Sequence, residues 1–149
     1  MENENSAAHS SPHSTYPVFF SHGSEDKYVV EHFLKPKLEA TGASVFLDAG
    51  EILYGDDFRS RIFDELQTCR EIIVFFTKSS LQRPWVFAEV GASLIQDKRI
   101  VAVRYGPSET DLQELGVLSL LGTTTVLQLE DFDSYVEQLS VRVREVNDA

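Results

Sequence analysis

The chain has 149 residues, a length typical of a single domain that can bury a sizeable hydrophobic core. Its formal net charge of -11 at pH 7 makes nucleic-acid backbones and anionic membrane surfaces unfavourable partners. The single cysteine, Cys69, excludes an internal disulfide, and the four histidines show no metal-ligand spacing, so we expect a reducing compartment and no structural metal.

Residues 1–15 are polar, rich in Ser, Asn and His, and lack apolar periodicity. They are unlike a secretory signal and predict a disordered leader, which leaves 16–149 as the folded domain. No apolar run in the sequence approaches the roughly 20 residues that a membrane-spanning helix needs. We therefore expect a cytoplasmic protein without a membrane partner.

Five apolar runs, rich in β-branched and aromatic residues, predict five strands. The runs lie at 16–21, 44–47, 72–76, 99–104 and 123–127. Apolar residues at helical spacing predict amphipathic helices that begin near Asp26, Phe58, Trp85 and Asp131, whereas 108–121 is ambiguous. Pro36 is expected to bend or split the first of these helices, and Gly42 is expected to end it.

Strands that alternate with helices predict an α/β fold, in which helices cover both faces of a parallel sheet. The leading prediction is a flavodoxin-like, doubly wound sheet of five parallel strands in the order 2-1-3-4-5. Ligands bind such sheets at the switch point between the first and third strands, beyond their carboxyl ends. The turn Ser21-His22-Gly23 and the loop 77–85 should therefore lie on either side of one crevice.

Two stretches near this crevice carry candidate chemistry. The loop at 48–57, DAGEILYGDD, holds two glycines and four acids and has the length of a functional loop. Trp85 and Glu89 stand four apart, so a helix that begins at Pro84 places them on one face. A carboxylate beside a large aromatic ring there can recognise a sugar and stabilise positive charge on it. The alternative is that Trp85 is packing and Glu89 is an ordinary surface acid.

Several familiar catalytic patterns are absent from the sequence. It contains no GxGxxG motif after a strand, which argues against a nicotinamide dehydrogenase of Rossmann type, and no Walker A, GxSxG or HExxH motif. A response-regulator receiver shares the topology, but the third strand ends Phe75-Phe76-Thr77, without the aspartate that a receiver needs. Cys69, expected at an interior position of the second helix, is interpreted as a buried apolar group rather than a nucleophile.

Between about Tyr16 and Val146, nearly its whole folded length, the chain resembles a Toll/interleukin-1 receptor (TIR) domain. Four motifs in register carry the resemblance. They are VFFSH at 18–22, which is similar to the first-strand motif; GASVFLD at 42–48 continuing to Gly55, similar to the second strand and the BB loop; IIVFFTKSS at 72–80, similar to the third strand and its exit; and WVFAE at 85–89, which matches the Trp and Glu spacing of TIR domains that cleave NAD.

The resemblance implies an NAD+ glycohydrolase or ADP-ribosyl cyclase that takes NAD+ as substrate and needs no cofactor or metal. The resemblance implies that Glu89 stands at the position of the catalytic glutamate. In the family this residue holds the ribose hydroxyls and offsets the positive charge that develops as nicotinamide leaves. Arg83 stands where a serine is common, and it either meets a phosphate or is a solvated loop residue. The substrate-binding positions that the resemblance implies are Ser21, His22, Asp48, Gly55, Phe58 and Trp85.

The resemblance leaves a second function class open, because many TIR domains of animal receptors and adaptors only assemble, through the BB loop and helix surfaces. The spacing of Trp85 and Glu89 favours an enzyme over such an interaction module. The short chain looks more like a stand-alone prokaryotic TIR protein than a receptor tail, and this implies antiviral or immune signalling. Relatives usually need neighbouring domains to order the BB loop, so we expect homotypic assembly or an activating partner.

Overall fold

The computed structural model describes residues 16–48, 57–81, 98–114, 116 and 126–148, with only the backbone described for 48 and 57–61. Five parallel strands form one sheet in the order 2-1-3-4-5. This confirms the predicted fold class and strand order. The strands are β1 Pro17–Ser21, β2 Ser44–Asp48, β3 Glu71–Thr77, β4 Arg99–Tyr105 and β5 Val126–Gln128.

Four helical segments within the described ranges accompany the sheet. They are α1 at residues 24–39, α2 Asp57–Thr68, α3 Glu109–Glu114 and α4 Phe132–Asp148, the last preceded by a 3-10 turn at Leu129–Asp131. None of the described helices is both long and apolar enough to cross a bilayer. The predicted helix of Trp85 and the first part of the predicted fifth strand lie outside the described residues.

The first helix, α1, is interrupted as Pro36 led us to expect. It begins as a 3-10 turn, continues as a short α-helical turn, widens to a π-helical turn at Val30–Leu34, and ends as α-helix at Lys35–Glu39. In the π-helical turn the N–H of Lys35 donates to the carbonyl of Val30, five residues earlier. Because Pro36 has no N–H and its ring crowds the preceding turn, a widened turn at this point accommodates it.

The sheet buries a separate apolar core on each face, because successive side chains of a strand point to opposite sides. One core joins alternate strand residues, such as Phe20 and Phe75, to α1 and α4. The other joins their neighbours, such as Phe19 and Phe76, to α2 and α3. All seven residues of β3 are buried, and the five between its polar ends are all apolar, as is typical of a central strand covered on both faces.

A buried carboxylate occupies the amino end of β3, where the sequence showed only the start of an apolar run. Glu71 is 0% exposed. It accepts hydrogen bonds from the hydroxyls of Tyr16 and Tyr135, the latter at 2.7 Å, and from Arg142 through Nε at 2.5 Å and Nη2 at 3.1 Å. A buried charge is tolerated when it is paired and hydrogen-bonded in this way. The network ties α4 to the amino ends of β1 and β3.

The groups around Glu71 are held in their protonated forms. Burial, assisted by the hydrogen bond to Glu71 and its negative charge, raises the pKa of Tyr16 to about 12. Burial and the charge of Glu71 likewise raise the pKa of Tyr135 well above its ordinary value. Partial burial lowers the pKa of Arg142, but hydrogen bonding to Glu71 and the attraction of its charge outweigh this and raise it. The guanidinium and both phenols therefore remain donors to the carboxylate.

Candidate functional site

The carboxyl ends of β1 and β3 form the switch point of the sheet. The two strands pair directly, with Ser21 opposite Val74, so β3 continues three residues beyond β1, from Phe75 to Thr77. The chain leaves β1 towards α1 and then β2 on one side, and the strand that follows β3 lies on the other side. Chain connections that diverge in this manner leave the crevice in which open α/β sheets bind ligands.

Two predicted site residues, Ser21 and His22, lie at the carboxyl end of β1 and are 0% and 1% exposed. Nδ1 of His22 lies 2.7 Å from the carbonyl oxygen of Gly23. Since a carbonyl oxygen only accepts, Nδ1 carries the proton. The imidazole also meets the ring of Phe20 edge-on, with centroids 6.3 Å apart. These contacts hold His22 in one orientation at the switch point, and the substrate-binding role assigned to it stays a prediction.

A polar cluster joins the turn after β1 to the loop after β3. Oγ1 of Thr77 donates to Oδ2 of Asp26 at 2.9 Å, and the N–H of Thr77 donates to Oγ of Ser80 at 2.8 Å. The two loops also approach closely at Gly23, where a Cβ would lie 3.0 Å from the Cβ of Ser80. Sequence reasoning missed this cluster, because it treated Asp26 only as the start of a helix.

Two basic side chains lie at the carboxyl edges of β3 and β4. Lys78 directly follows β3 and is exposed, and its Cγ would lie 3.4 Å from a Cβ at Gly106, so its stem crosses the turn after β4. Arg104 donates from Nη1 to the carbonyl of Pro107 at 3.1 Å. Its Nε is buried and has no hydrogen-bond partner among the residues described. These residues place positive charge at this edge of an acidic chain.

The remaining predicted site residues are placed only in part. Asp48 ends β2, and its backbone lies opposite Ser21 in the register of the sheet. Phe58 is the second residue of α2. Glu89, Trp85, Gly55 and Arg83 lie outside the described residues. The structure therefore brings together Ser21, His22 and the backbone of Asp48, and the other assignments stay predictions.

Cys69 lies just beyond the end of α2 rather than inside it, which corrects the helical position expected from the sequence. Its thiol is buried, and Sγ lies 3.4 Å from the carbonyl oxygen of Leu66. Burial raises the pKa of Cys69 to about 11, although the charge of Lys98 opposes the shift. The side chain is therefore a buried thiol rather than an activated nucleophile, as expected. Within the described ranges, no three His, Cys, Asp or Glu side chains are grouped as metal ligands would be.

Comparisons with known proteins agree with this architecture. A family model described as "TIR domain" matches residues 18–140. The fold is similar to the TIR domain of the Toll-related receptor TRR-2 from Hydra magnipapillata, with a TM-score of 0.61 and 24% identity over 87% of this chain and 99% of that one. No curated protein matches the chain.

Two further solved structures are similar. A chain of the RPS4 and RRS1 TIR domain heterodimer has a TM-score of 0.61 and 20% identity, over 86% of this chain and 95% of that one. The metazoan TIR-STING receptor from C. gigas has a TM-score of 0.58 and 19% identity, over 83% of this chain and 40% of that one. At these identities the structures establish a shared fold, and the family model covers well over half of the sequence. The chain belongs to the TIR domain family.

Proposed function

We propose that this TIR domain is an NAD+ glycohydrolase or ADP-ribosyl cyclase, which breaks the bond between nicotinamide and ribose. The observation that carries the proposal is the position of Glu89 in the chain. It follows Trp85 by four residues, on the segment that leaves the central strand β3 at the switch point. This spacing matches that of TIR domains that cleave NAD, and ligands of open α/β sheets bind at such a point.

The proposed chemistry needs one fixed carboxylate. Nicotinamide leaves NAD+ with the electron pair of the glycosidic bond and becomes neutral, while the ribose takes on oxocarbenium character. Glu89 holds the ribose hydroxyls and stabilises this positive charge, which is larger in the transition state than in the substrate. Attack of water at C1′ then yields ADP-ribose and a proton, whereas attack by a nucleophile of the same molecule yields a cyclic product.

The other predicted residues bind the substrate around Glu89. Trp85 packs beside the nicotinamide ribose, and Phe58 stacks on a ring of the substrate if its side chain points to the crevice. In this proposal Ser21 at the end of β1, His22 directly after it, and Asp48 at the end of β2 border the bound substrate, and Gly55 supplies backbone freedom to the BB loop. The pyrophosphate of NAD+ is anionic, so Lys78 and Arg104 at the edge of the sheet offset the net charge of -11 locally.

The proposal includes assembly as the condition for activity. TIR catalysis in relatives usually needs neighbouring domains that order the BB loop, and the RPS4 and RRS1 structure is itself a heterodimer of TIR domains. We expect a cytoplasmic protein that turns over slowly when dilute and faster when it is crowded or bound to a partner. Depletion of NAD+, or release of a product as a signal, would then serve antiviral or immune signalling.

The test is incubation of the purified protein with NAD+ and chromatographic separation of the products, at several protein concentrations and with a crowding agent. The proposal predicts nicotinamide in equal amount to ADP-ribose plus cyclic product, with a rate per molecule that rises with concentration. NAD+ that stays intact at the highest concentration, with crowding, would reject the enzymatic function.

The second candidate function is a non-catalytic interaction module, and an exposed aromatic patch on α1 favours it. Tyr28, Val29 and Phe33 are 67%, 40% and 55% exposed. The ring centroid of Tyr28 lies 4.5 Å from that of His32 and 6.0 Å from that of Phe33, so these three rings are contiguous. Contiguous exposed apolar patches mark interaction surfaces more often than scattered residues do. An adaptor would self-associate through such a surface and leave NAD+ intact.

A further inference from the structure

We infer that Asp26, Thr77 and Ser80, here called the latch, position the segment that follows β3 for the reaction at the switch point. The inference rests on the proposed function, since that segment carries Glu89. The latch residues are positioning residues, because they act through the chain that they hold. Asp26 lies in the first turn of α1, whereas Thr77 ends β3 and Ser80 lies in the loop beyond it.

The hydroxyl protons of the cluster can be assigned for Thr77 and Ser79, whereas Oγ of Ser80 has several acceptors within reach, including Oγ1 of Thr77 at 3.3 Å. The hydroxyl of Thr77 has a single proton, which it donates in a hydrogen bond to the carboxylate of Asp26, 2.9 Å away. The hydroxyl of Ser79, 3.1 Å from Oγ1 of Thr77, must then be the donor in that pair. Oγ of Ser80 accepts the N–H of Thr77, which leaves its own proton for the carbonyl of Thr77 at 3.2 Å or that of Phe75 at 3.5 Å.

The latch is shielded from water at its centre. Thr77 is 9% exposed and Ser80 is 2% exposed, so water cannot readily replace the bonds between them. Ser80 also donates its backbone N–H to the carbonyl of Thr77 at 3.1 Å, which closes a turn. The loop after β3 therefore has a defined shape before the chain reaches residue 82.

The loop crosses the end of the sheet from one face to the other. Thr77 meets Asp26 of α1, on the face covered by α1 and α4. Four residues later, Leu81 packs against the core on the opposite face, with α2 and α3. The latch is thus the place where the chain is attached as it passes over the switch point. A shift of this attachment moves the starting point of the segment that contains Glu89.

Gly23 gives the second contact between the same two loops. A Cβ at this position would lie 3.0 Å from the Cβ of Ser80, which is tighter than nearly all Cβ contacts in proteins, and 3.4 Å from Oδ2 of Asp26, which is an ordinary contact. Because φ of Gly23 is -76°, the backbone itself accepts any residue, and close approach is the reason for glycine. Gly23→Ala therefore pushes the loops apart without removing a latch hydrogen bond.

The test compares Thr77→Val, which removes the hydroxyl, with Thr77→Ser, which keeps it. With NAD+ as substrate, Thr77→Val is expected to lower kcat by about tenfold to a hundredfold and to leave KM within about threefold, because a misplaced catalytic group costs rate rather than binding. Thr77→Ser is expected to stay within about threefold of wild type. Thr68→Val is the matched control, since its exposed hydroxyl donates to the carbonyl of Asp64 at 3.0 Å within α2, away from the switch point.

Two further variants test whether the parts act as a unit. Asp26→Ala combined with Thr77→Val should be no worse than Thr77→Val alone, because either change breaks the same bond. Gly23→Ala should lower kcat in the same direction. The latch would be overturned if the double variant lowered kcat by the product of the two single-variant factors, or if Gly23→Ala kept the wild-type kcat.

A readout without substrate separates the latch from the proposed function. Trp85 is the only tryptophan in the chain and follows Ser80 by five residues, so its fluorescence reports the placement of this segment. Thr77→Val and Gly23→Ala should shift its emission maximum, and Thr77→Ser and Thr68→Val should not. If the wild type fails to cleave NAD+, the proposed function is rejected. The shifts in the emission maximum of Trp85 then test the latch by themselves. Wild-type emission and kcat in Thr77→Val, or equal defects in Thr77→Val and Thr77→Ser, would overturn it.

Discussion

Arg142→Met tests the buried network at the amino end of the sheet. Glu71 is 0% exposed, whereas the side chain of Arg142 keeps 19% of its surface exposed. Without the guanidinium, the carboxylate retains two phenol donors and no compensating charge. Breaking a buried ion pair in this way costs about 3–5 kcal/mol of unfolding free energy. For a chain of this size, that corresponds to a fall in Tm on the order of 6–20 °C.

The difference in burial also predicts an order among the variants. Glu71→Gln keeps one side-chain oxygen, which accepts from one of the two phenols, and its NH2 can donate to the oxygen of the other phenol. The change leaves Arg142 with a path to water, so it should lower the free energy of unfolding less than Arg142→Met does. The double variant, Glu71→Gln with Arg142→Met, has no uncompensated carboxylate. Its loss of unfolding free energy should therefore be smaller than the sum of the losses in the two single variants. A loss for Glu71→Gln as large as that for Arg142→Met would contradict this reasoning.

The assay is thermal and urea unfolding followed by circular dichroism, with Arg144→Met as the matched control. Arg144 lies two residues further along α4, is exposed, and donates from Nη1 to Oγ of Ser140 at 3.0 Å. An exposed contact of this type contributes little, so the control should change stability by about 0.5 kcal/mol or less. Equal losses for Arg142→Met and Arg144→Met would refute a stabilising role for the buried network.

Two other predictions concern pH and assembly. The thiol of Cys69 has a pKa of about 11 in the folded chain against 9.0 ordinarily, so the unfolded chain loses this proton first and stability falls as the pH rises from 9 to 11. The expected loss of unfolding free energy is on the order of 2–3 kcal/mol. Cys69→Ala should therefore make a plot of Tm against pH flatter between pH 9 and 11. An unchanged slope in this variant would show that the thiol does not titrate in this way. If the patch on α1 is an interface, Phe33→Ser should weaken self-association measured by analytical ultracentrifugation. Phe63→Ser is the control, because it removes a phenylalanine ring that is 41% exposed on α2, outside the patch, and it should leave self-association unchanged. Equal association for both variants would remove the patch as an interface.

Much of the fold could be predicted because it depends on patterns that are local in the chain. Apolar runs separated by helical periodicity gave β1 to β4 within one residue of their observed bounds and overlapped the described part of β5. The alternation indicated a parallel sheet, for which the order 2-1-3-4-5 was the leading prediction. Pro36 and Gly42 also have local effects. Gly42 follows the end of α1 with φ of +101°, a conformation that glycine adopts at little cost, so its role could be inferred from its position.

The features that were missed depend on contacts between distant residues. Glu71 stands at the edge of an apolar run, where a charged residue ordinarily marks a solvated strand end, and its partner Arg142 lies 71 residues away. Thr77 and Asp26 are separated by 51 residues and look like ordinary loop and helix-start residues. Neither pair has a spacing that a sequence pattern can detect, because the sheet topology and the helix rotation must be known first.

The candidate site could be located from the sequence but not assembled from it. The switch point follows from strand order, and the order 2-1-3-4-5 places the ends of β1 and β3 side by side. The roles of Glu89 and Trp85 come from a resemblance to TIR domains that cleave NAD. Whether a carboxylate stabilises a transition state depends on its distance from the ribose and on its shielding from water, which residue spacing does not specify.

The most direct test of the central claim is the rate of nicotinamide release from NAD+ by Glu89→Gln. This change keeps the shape of the side chain and removes its charge, so turnover should fall by about a hundredfold or more while Tm stays at the wild-type value. Glu137→Gln makes the same replacement on the exposed surface of α4 and should leave both quantities unchanged. Near wild-type turnover by Glu89→Gln would contradict the assignment of Glu89 as the catalytic carboxylate.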